Sequence, residues 1–192
     1  MVAHCGGKYD FHFLIKYLVD IGMGSSVKMD SVIYKGLKLI SLQANSLLFV
    51  DSYSHLPMPL SKLPATFGFA GEEKKGTQYY TTLKTIKYIL GEFPFLAIQE
   101  KYRGYVGKFP ALEMFLAKHK KPDQLREFLK YFSQNKDRNN WSHDEELIGY
   151  CISDTVIVAK SVTKYDKVFR ELAGFSPLTV PTLPAAAMHC FR

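Results

Sequence analysis

Residues 3–14 constrain the fold most, because a paired-glycine turn runs directly into an aromatic residue, an acid and a helical apolar pattern. Tyr9 and Asp10 follow the turn, and over residues 10–21 the apolar side chains recur at spacings of three and four. That periodicity describes one apolar helical face. The sequence therefore predicts a helix that begins at Asp10 and stops at the glycines after residue 21. An acid at the mouth of such a helix is a candidate metal ligand.

Three short segments rich in β-forming residues follow, and they predict an antiparallel meander over residues 31–34, 37–42 and 47–51. Turn pairs at residues 35–36 and 45–46 separate them. Helices are expected at residues 60–67 and 122–132 and from Ser142, which opens a capping box, to about Val162. Composition and pattern alone indicate one domain of the α/β or α+β class.

Length and charge exclude several classes of protein. A chain of 192 residues with 47% hydrophobic content buries one core, and its net charge of +7 suits a polyanionic partner, although many basic proteins bind none. Three scattered cysteines make neither a disulfide framework nor a Cys-rich zinc site. No apolar run approaches the roughly 20 residues of a membrane span, and the N-terminus lacks a signal-peptide core. An intracellular protein without a membrane partner is expected, in the nucleus or the cytoplasm.

The stretch around the glycine turn resembles the second exonuclease motif of family B DNA polymerases. Its Ala-His-Cys-Gly-Gly-Lys-Tyr-Asp sequence is most similar to the form found in protein-primed polymerases of the Polinton/Maverick and linear-plasmid kind. Cys5 stands where that family has Asn. The resemblance implies that Asp10 binds a metal and that His4, Cys5, Tyr9 and Phe13 contact the frayed 3′ strand. Phe13 is also explained by a place in the core.

Tyr150 and Asp154 lie four residues apart on a predicted helix, so their side chains share one face. The pair resembles the third exonuclease motif, Tyr-x-x-x-Asp, which implies that Asp154 binds a divalent metal and that Tyr150 orients the attacking water. Taken alone, the same spacing is more often an exposed acid beside a core-edge aromatic side chain. The pair is informative because it follows the other motifs in family order.

Residues 49–64 carry the most specific signal, a strand followed by Asp-Ser-Tyr-Ser-His-Leu-Pro-Met-Pro-Leu. They resemble the segment of protein-primed polymerases in which a serine and the next residue contact single-stranded DNA, here Ser52 and Tyr53. By itself the segment is better explained as a strand followed by a proline-rich turn. Residues 105–110 and 182–184 resemble further family segments, so the resemblance covers nearly the whole chain.

The resemblance implies an RNase H-like fold, a mixed sheet flanked by helices, that lacks its first strand. Residues 1–175 would form the partial 3′–5′ exonuclease domain, and residues 176–192 the start of the connection to a polymerase palm. Residues 77–91 interrupt a family motif and are interpreted as an insertion. The family lysine that contacts the scissile phosphate would be Lys75.

The family chemistry removes a nucleotide from a DNA 3′ end with two Mg²⁺ (or Mn²⁺) ions, for which four carboxylates normally supply oxygen ligands. Asp10 and Asp154 match two of them, and an Asp-x-Glu pair is expected on a strand before Met1. A weak or inactive nuclease that binds primer 3′ ends is therefore predicted. The alternatives are a co-opted, non-catalytic DNA-binding domain and a decayed mobile-element remnant. A terminal protein would be a partner only of a full-length polymerase.

Overall fold

The computed structural model describes residues 1–20, 31–44, 47–69 and 93–191, which form two compact units. Lys75, the interpreted insertion 77–91, the second turn pair at 45–46 and the glycines after residue 21 lie outside these ranges. The strands are β1 (Val2–Ala3), β2 (Val32–Lys35), β3 (Lys38–Ala44), β4 (Leu47–Asp51), β5 (Val106–Gly107) and β6 (Trp141–Ser142). The helices are α1 (Asp10–Asp20), α2 (Leu63–Thr66), α3 (Pro122–Asn135), α4 (His143–Ala173) and α5 (Leu183–His189).

The first unit, Met1–Gly68 with Ile157–Arg192, contains a four-stranded mixed sheet in the order β1-β4-β3-β2. β2, β3 and β4 pair antiparallel, which confirms the predicted meander. β1 pairs parallel to β4, with Val2 opposite Val50. The protein is thus of the mixed α/β class.

Helix α1 packs its apolar face on the sheet of the first unit. Phe11 is 4% exposed and meets Phe49 edge to face, with ring centroids 6.0 Å apart. Leu39 and Leu42 of β3 complete this core, and Leu14 and Ile15 of α1 pack against it. The predicted helical face is therefore confirmed for Phe11, Leu14 and Ile15, the apolar residues at these spacings that reach the sheet.

The second unit, Phe69–Val156, is built around aromatic side chains. β5 and β6 form a two-stranded antiparallel ladder, and α3 packs beside it. The core members are Phe109, Phe115, Phe128, Tyr131 and Trp141. Helix α3 begins at Pro122 as predicted, since proline at the first helical position lacks only an N–H that has no partner there.

Two predicted helices differ from the structure. Residues 60–67 form a 3-10 turn, Leu60–Lys62, before the four-residue α2. Helix α4 continues to Ala173 rather than ending near Val162. Pairs four residues apart, such as Asp166 with Arg170 at 2.7 Å, support the extra turns. Gly174, at φ +78°, ends the helix with its N–H bonded to the Arg170 carbonyl.

Among the described residues, no helix combines the length and the apolar character that crossing a membrane requires.

Candidate functional site

The glycine turn before α1 packs backbone against backbone on the sheet. A Cβ built on Gly7 would lie 1.9 Å from the carbonyl oxygen of Leu39 in β3. Only a residue without a side chain permits that approach. Cys5, two residues before Gly7, is in the left-handed conformation at φ 63°, and its N–H is hydrogen-bonded to Asp51 at the end of β4.

Asp51, the last residue of β4, is the buried centre of this site. Its side chain is fully buried, and its Oδ1 accepts hydrogen bonds from the backbone N–H groups of Cys5 (2.9 Å) and Tyr53 (3.0 Å). Its Oδ2 has no hydrogen bond, but the Lys38 ammonium lies 3.1 Å away. A buried carboxylate needs such partners to stay charged. Asp51 therefore ties the glycine turn, the 52–54 turn and β3 together.

Lys38 reaches Asp51 because of the strand register. The antiparallel pairing of β3 with β4 ends with Ser41 opposite Val50, which brings the start of β3 beside the end of β4 and the 3-10 turn Ser52–Ser54. The Lys38 ammonium also donates to Oγ of Ser54 at 3.3 Å. It lies 5.2 Å from the centroid of the Tyr53 ring, within the range of a cation–π interaction.

Tyr53 lies in a basic setting. Besides Lys38, the Lys8 ammonium lies 5.9 Å from its ring centroid, and the His4 ring meets it edge to face at 5.6 Å. The ring is half-buried, whereas Lys8 is exposed. An aromatic ring beside two ammonium groups offers a stacking surface and charge for an adjacent phosphate.

Buried Ser52 and partly buried His4 contact each other beside this ring. His4 Nε2 donates to the Met58 carbonyl (2.9 Å), and its Nδ1 lies 3.0 Å from Oγ of Ser52. Ser52 is 1% exposed and its hydroxyl also donates to the Ala3 carbonyl at 3.0 Å. The structure thus brings His4, Cys5, Ser52 and Tyr53 together, and the buried Ser52 hydroxyl contacts the His4 ring.

The remaining predicted residues of the first unit lie on α1 or, for Tyr9, directly before it. Asp10 is the exposed first residue of the helix, where an acid complements the positive end of the helix dipole. Tyr9 is 66% exposed and Phe13 is 74% exposed. Phe13 is therefore a surface residue, and its placement in the core, the alternative considered from the sequence, is wrong.

The second unit holds the Tyr150–Asp154 pair on α4, hydrogen-bonded side chain to side chain. Burial raises the pKa of Asp154 to about 6, although the hydrogen bond from Tyr150 favours its ionised form. Burial, followed by the nearby Asp154 charge, raises the pKa of Tyr150 to about 12. Phe93 packs against Tyr150 with ring centroids 5.6 Å apart. The shared face predicted from the four-residue spacing is confirmed for these two side chains.

The sequence did not single out Asp51 or Lys38 as site residues. The sequence did contain a signal for Asp51. An acid that ends a strand and precedes a turn commonly accepts a hydrogen bond from the backbone N–H two residues later. No local sequence signal marked Lys38, because its position beside Tyr53 depends on the pairing of β3 with β4. Asp10 belongs to the first unit and Asp154 to the second.

Cys5 leads to a stability prediction, because its left-handed backbone is the conformation in which asparagine is enriched and most other side chains are strained. Cys5→Asn is expected to raise the free energy of unfolding by about 0.5–1 kcal/mol, measured by urea denaturation. Cys5→Ala, which keeps a Cβ but has no local hydrogen-bonding group, is the matched control and should not stabilise. Equal stability of the Asn and Ala variants would contradict this explanation.

The whole chain, residues 1–192, matches the family model described as DNA polymerase type B, organellar and viral. A protein named "Probable DNA polymerase" from Neurospora intermedia is 26% identical over 147 residues. The match covers 77% of this chain but 14% of the relative, so the chain spans a small part of that protein's length. No solved structure matches the chain.

Proposed function

Since the chain belongs to the type B DNA polymerases of organelles and viruses, we propose that it is part of the 3′–5′ exonuclease region of a protein-primed polymerase. Its proposed role is to bind the 3′ end of a single-stranded primer. The observation that carries this proposal is the Tyr53 ring with the Lys8 and Lys38 ammonium groups 5.9 and 5.2 Å from its centroid. A terminal base would stack on the ring while its phosphate meets the lysines.

The buried contacts around Asp51 give this binding surface its rigidity. Asp51 holds the Tyr53 backbone and the Lys38 ammonium at once, and Ser52 holds His4 against the ring. A ring fixed before binding loses less conformational entropy when a base stacks on it. Exposed Tyr9, directly before α1, and exposed Phe13, on α1, extend the proposed contact.

The described residues do not by themselves supply a site for Mg²⁺ or Mn²⁺. These hard cations require several oxygen ligands, and no group of three or more His, Cys, Asp or Glu side chains that could hold a metal occurs in the described ranges. We derive no metal-dependent step from this chain. By itself it is proposed to be a weak nuclease or none, with DNA binding as its activity.

Trimming of the primer end within a longer polymerase is the second candidate function. The hydrogen-bonded Tyr150–Asp154 pair favours it, because burial raises the pKa values of both groups and such shifts concentrate at functional sites. Metal-dependent shortening of a labelled oligonucleotide that is abolished by both Asp10→Ala and Asp154→Ala would support this function. If the oligonucleotide length does not change, DNA binding is the only proposed function that remains.

The proposed fold type, domain bounds, partner and origin of the chain rest on the motif resemblance. We propose that the mixed sheet is RNase H-like, that residues 1–175 belong to the exonuclease region and that residues 176–192 lead toward a polymerase palm. The parallel pairing of β1 with β4 beside an antiparallel meander supports the first of these. A terminal protein is a proposed partner of the longer polymerase only, and an origin in a mobile element is proposed on the same resemblance.

Tyr53→Ala tests the proposed function. Loss of the ring should weaken binding of a single-stranded oligonucleotide by about 1–3 kcal/mol, or roughly 5- to 150-fold in Kd. Fluorescence anisotropy with a short labelled oligo-dT, at one fixed salt concentration, measures the change. The variant should fold normally, because the half-buried ring lies at the surface of the unit.

Two variants serve as controls for this measurement. Tyr53→Phe keeps the stacking ring and should bind like the parent chain. Leu172→Ala removes a side chain that is 83% exposed in the same unit and should change nothing. Equal affinity of the Ala and Phe variants at position 53 would reject the proposed site.

A further inference from the structure

Helix α1 and the residue before it carry exposed aromatic side chains that the motif resemblance does not account for in full. Tyr9, Phe13 and Tyr17 are 66%, 74% and 60% exposed. Residues four apart on a helix share one face, so Phe13 and Tyr17 lie on one face of α1, and Tyr9 directly precedes the helix; the three side chains are here called the aromatic stripe. The opposite face of α1 is the one that packs on the sheet through Phe11. The stripe is therefore surface that the core of this unit does not use.

The charge around the stripe suits a polyanion. Lys8 and Lys16, both exposed, directly precede Tyr9 and Tyr17 in the chain. Exposed acids are present at the two ends of the helix, Asp10 and Asp20. The unit as a whole carries eleven Lys and Arg residues against six Asp and Glu, a net charge of +5.

The stripe is continuous with the proposed primer-end site. Lys8, whose ammonium lies 5.9 Å from the Tyr53 ring centroid, is the neighbour of Tyr9 at the start of the stripe. Four helical residues rise about 6 Å, well above the 3.4 Å spacing of bases along one strand of B-DNA. Bases that contact successive rings would thus be separated from one another, as they are when single strands stack on protein aromatics.

We propose that the aromatic stripe binds the nucleotides that precede the primer 3′ end, and that Tyr17 with Lys16 forms its outer contact. Single-stranded nucleic acid is the occupant, and the proposal rests on the function proposed above for Tyr53. It extends that function by a specificity for length: a single strand long enough to pass from Tyr53 to Tyr17 binds more tightly than one that ends sooner.

The test compares oligo-dT of three and of nine nucleotides on the 192-residue chain. Tyr17→Ala should weaken binding of the nine-nucleotide strand about fivefold or more and leave the three-nucleotide strand unchanged. Tyr53→Ala should weaken both. Tyr17→Trp, which keeps a stacking ring, should restore binding, and Phe191→Ala, which removes an 86% exposed ring in the same unit, should have no effect.

Lys16→Gln provides an independent readout. Each phosphate contact of a single strand contributes about 0.7 to the slope of log K against log salt concentration. The slope for the nine-nucleotide strand should fall by about this amount in Lys16→Gln and stay the same for the three-nucleotide strand. An unchanged slope for the longer strand would count against a phosphate contact at Lys16 and against the proposed path.

The outcomes separate this inference from the function on which it rests. If Tyr53→Ala weakens binding and Tyr17→Ala binds both strands within twofold of the parent chain, the stripe proposal fails and the primer-end site stands. If neither variant weakens binding, both proposals fail. Sedimentation velocity tests whether a second copy of the chain occupies the stripe instead. If Tyr17→Ala abolishes self-association and leaves DNA binding unchanged, the stripe is a contact between two copies and the inference is overturned.

Discussion

Gly7→Ala is expected to destabilise the first unit by about 3 kcal/mol or more, the upper end of the range for overpacked sites. The new Cβ would lie 1.9 Å from the carbonyl oxygen and 3.0 Å from the carbonyl carbon of Leu39. Both atoms belong to the backbone of a fully buried strand residue, so no side chain can rotate away. The turn would have to separate from β3, and Cys5 would lose its bond to Asp51. Urea denaturation followed by circular dichroism measures the loss.

Gly36→Ala is the matched control for this substitution. Gly36 is also in a turn of the first unit and has a left-handed φ of 61°, but a Cβ there meets no atom within 4 Å. Its substitution should cost only the backbone strain of about 1–2 kcal/mol. The steric explanation of Gly7 would be refuted by a Gly7→Ala variant as stable as Gly36→Ala.

Asp51→Ala should have the second large effect, a loss of about 3–5 kcal/mol of unfolding free energy. The substitution leaves the N–H groups of Cys5 and Tyr53 without their acceptor and the Lys38 ammonium without its counter-charge. The Lys38 side chain is 23% exposed, so water relieves part of this cost and the lower end of the range is expected. Binding of single-stranded DNA should weaken as well, because Tyr53 is no longer held in place.

A double-mutant cycle separates the ion pair from the hydrogen bonds. Lys38→Met combined with Asp51→Ala should lower the free energy of unfolding by less than the sum of the two single substitutions, because the double variant contains no unpaired charge at this site. Glu171→Ala, which breaks an exposed pair with Lys167, should change stability by no more than about 0.5 kcal/mol. Additive losses at Lys38 and Asp51 would show that the two side chains do not interact.

Much of the local structure of this chain follows from its sequence. The spacing of three and four over residues 10–21 predicted α1, and three runs of β-forming residues predicted β2, β3 and β4. Pro122 marked the start of α3. These features are readable because the periodicity of side chains and the dihedral limits of proline act within a few neighbouring residues. The end of α4 was missed, although Gly174 offered a local signal.

The residues of the candidate site could be predicted only in part from the sequence. The motif resemblance selected His4, Cys5, Ser52 and Tyr53, which the structure brings together. It did not select the exposed Tyr17 at the outer end of the aromatic stripe, although the four-residue spacing from Phe13 was visible in the sequence. Exposure is what separates a surface stripe from a core face, and exposure depends on what the rest of the chain packs against.

The sequence by itself determined the helical face of α1, the meander of β2 to β4 and the chemistry available at their ends. Tertiary structure alone decided that β1 runs parallel to β4, that the Lys38 ammonium lies beside the Tyr53 ring and that Asp51 is buried with three partners. The physical reason is that a strand's pattern fixes which side chains share a face but not which strand it pairs with or in which register. That choice is made by contacts between residues far apart in the chain, such as Gly7 against Leu39.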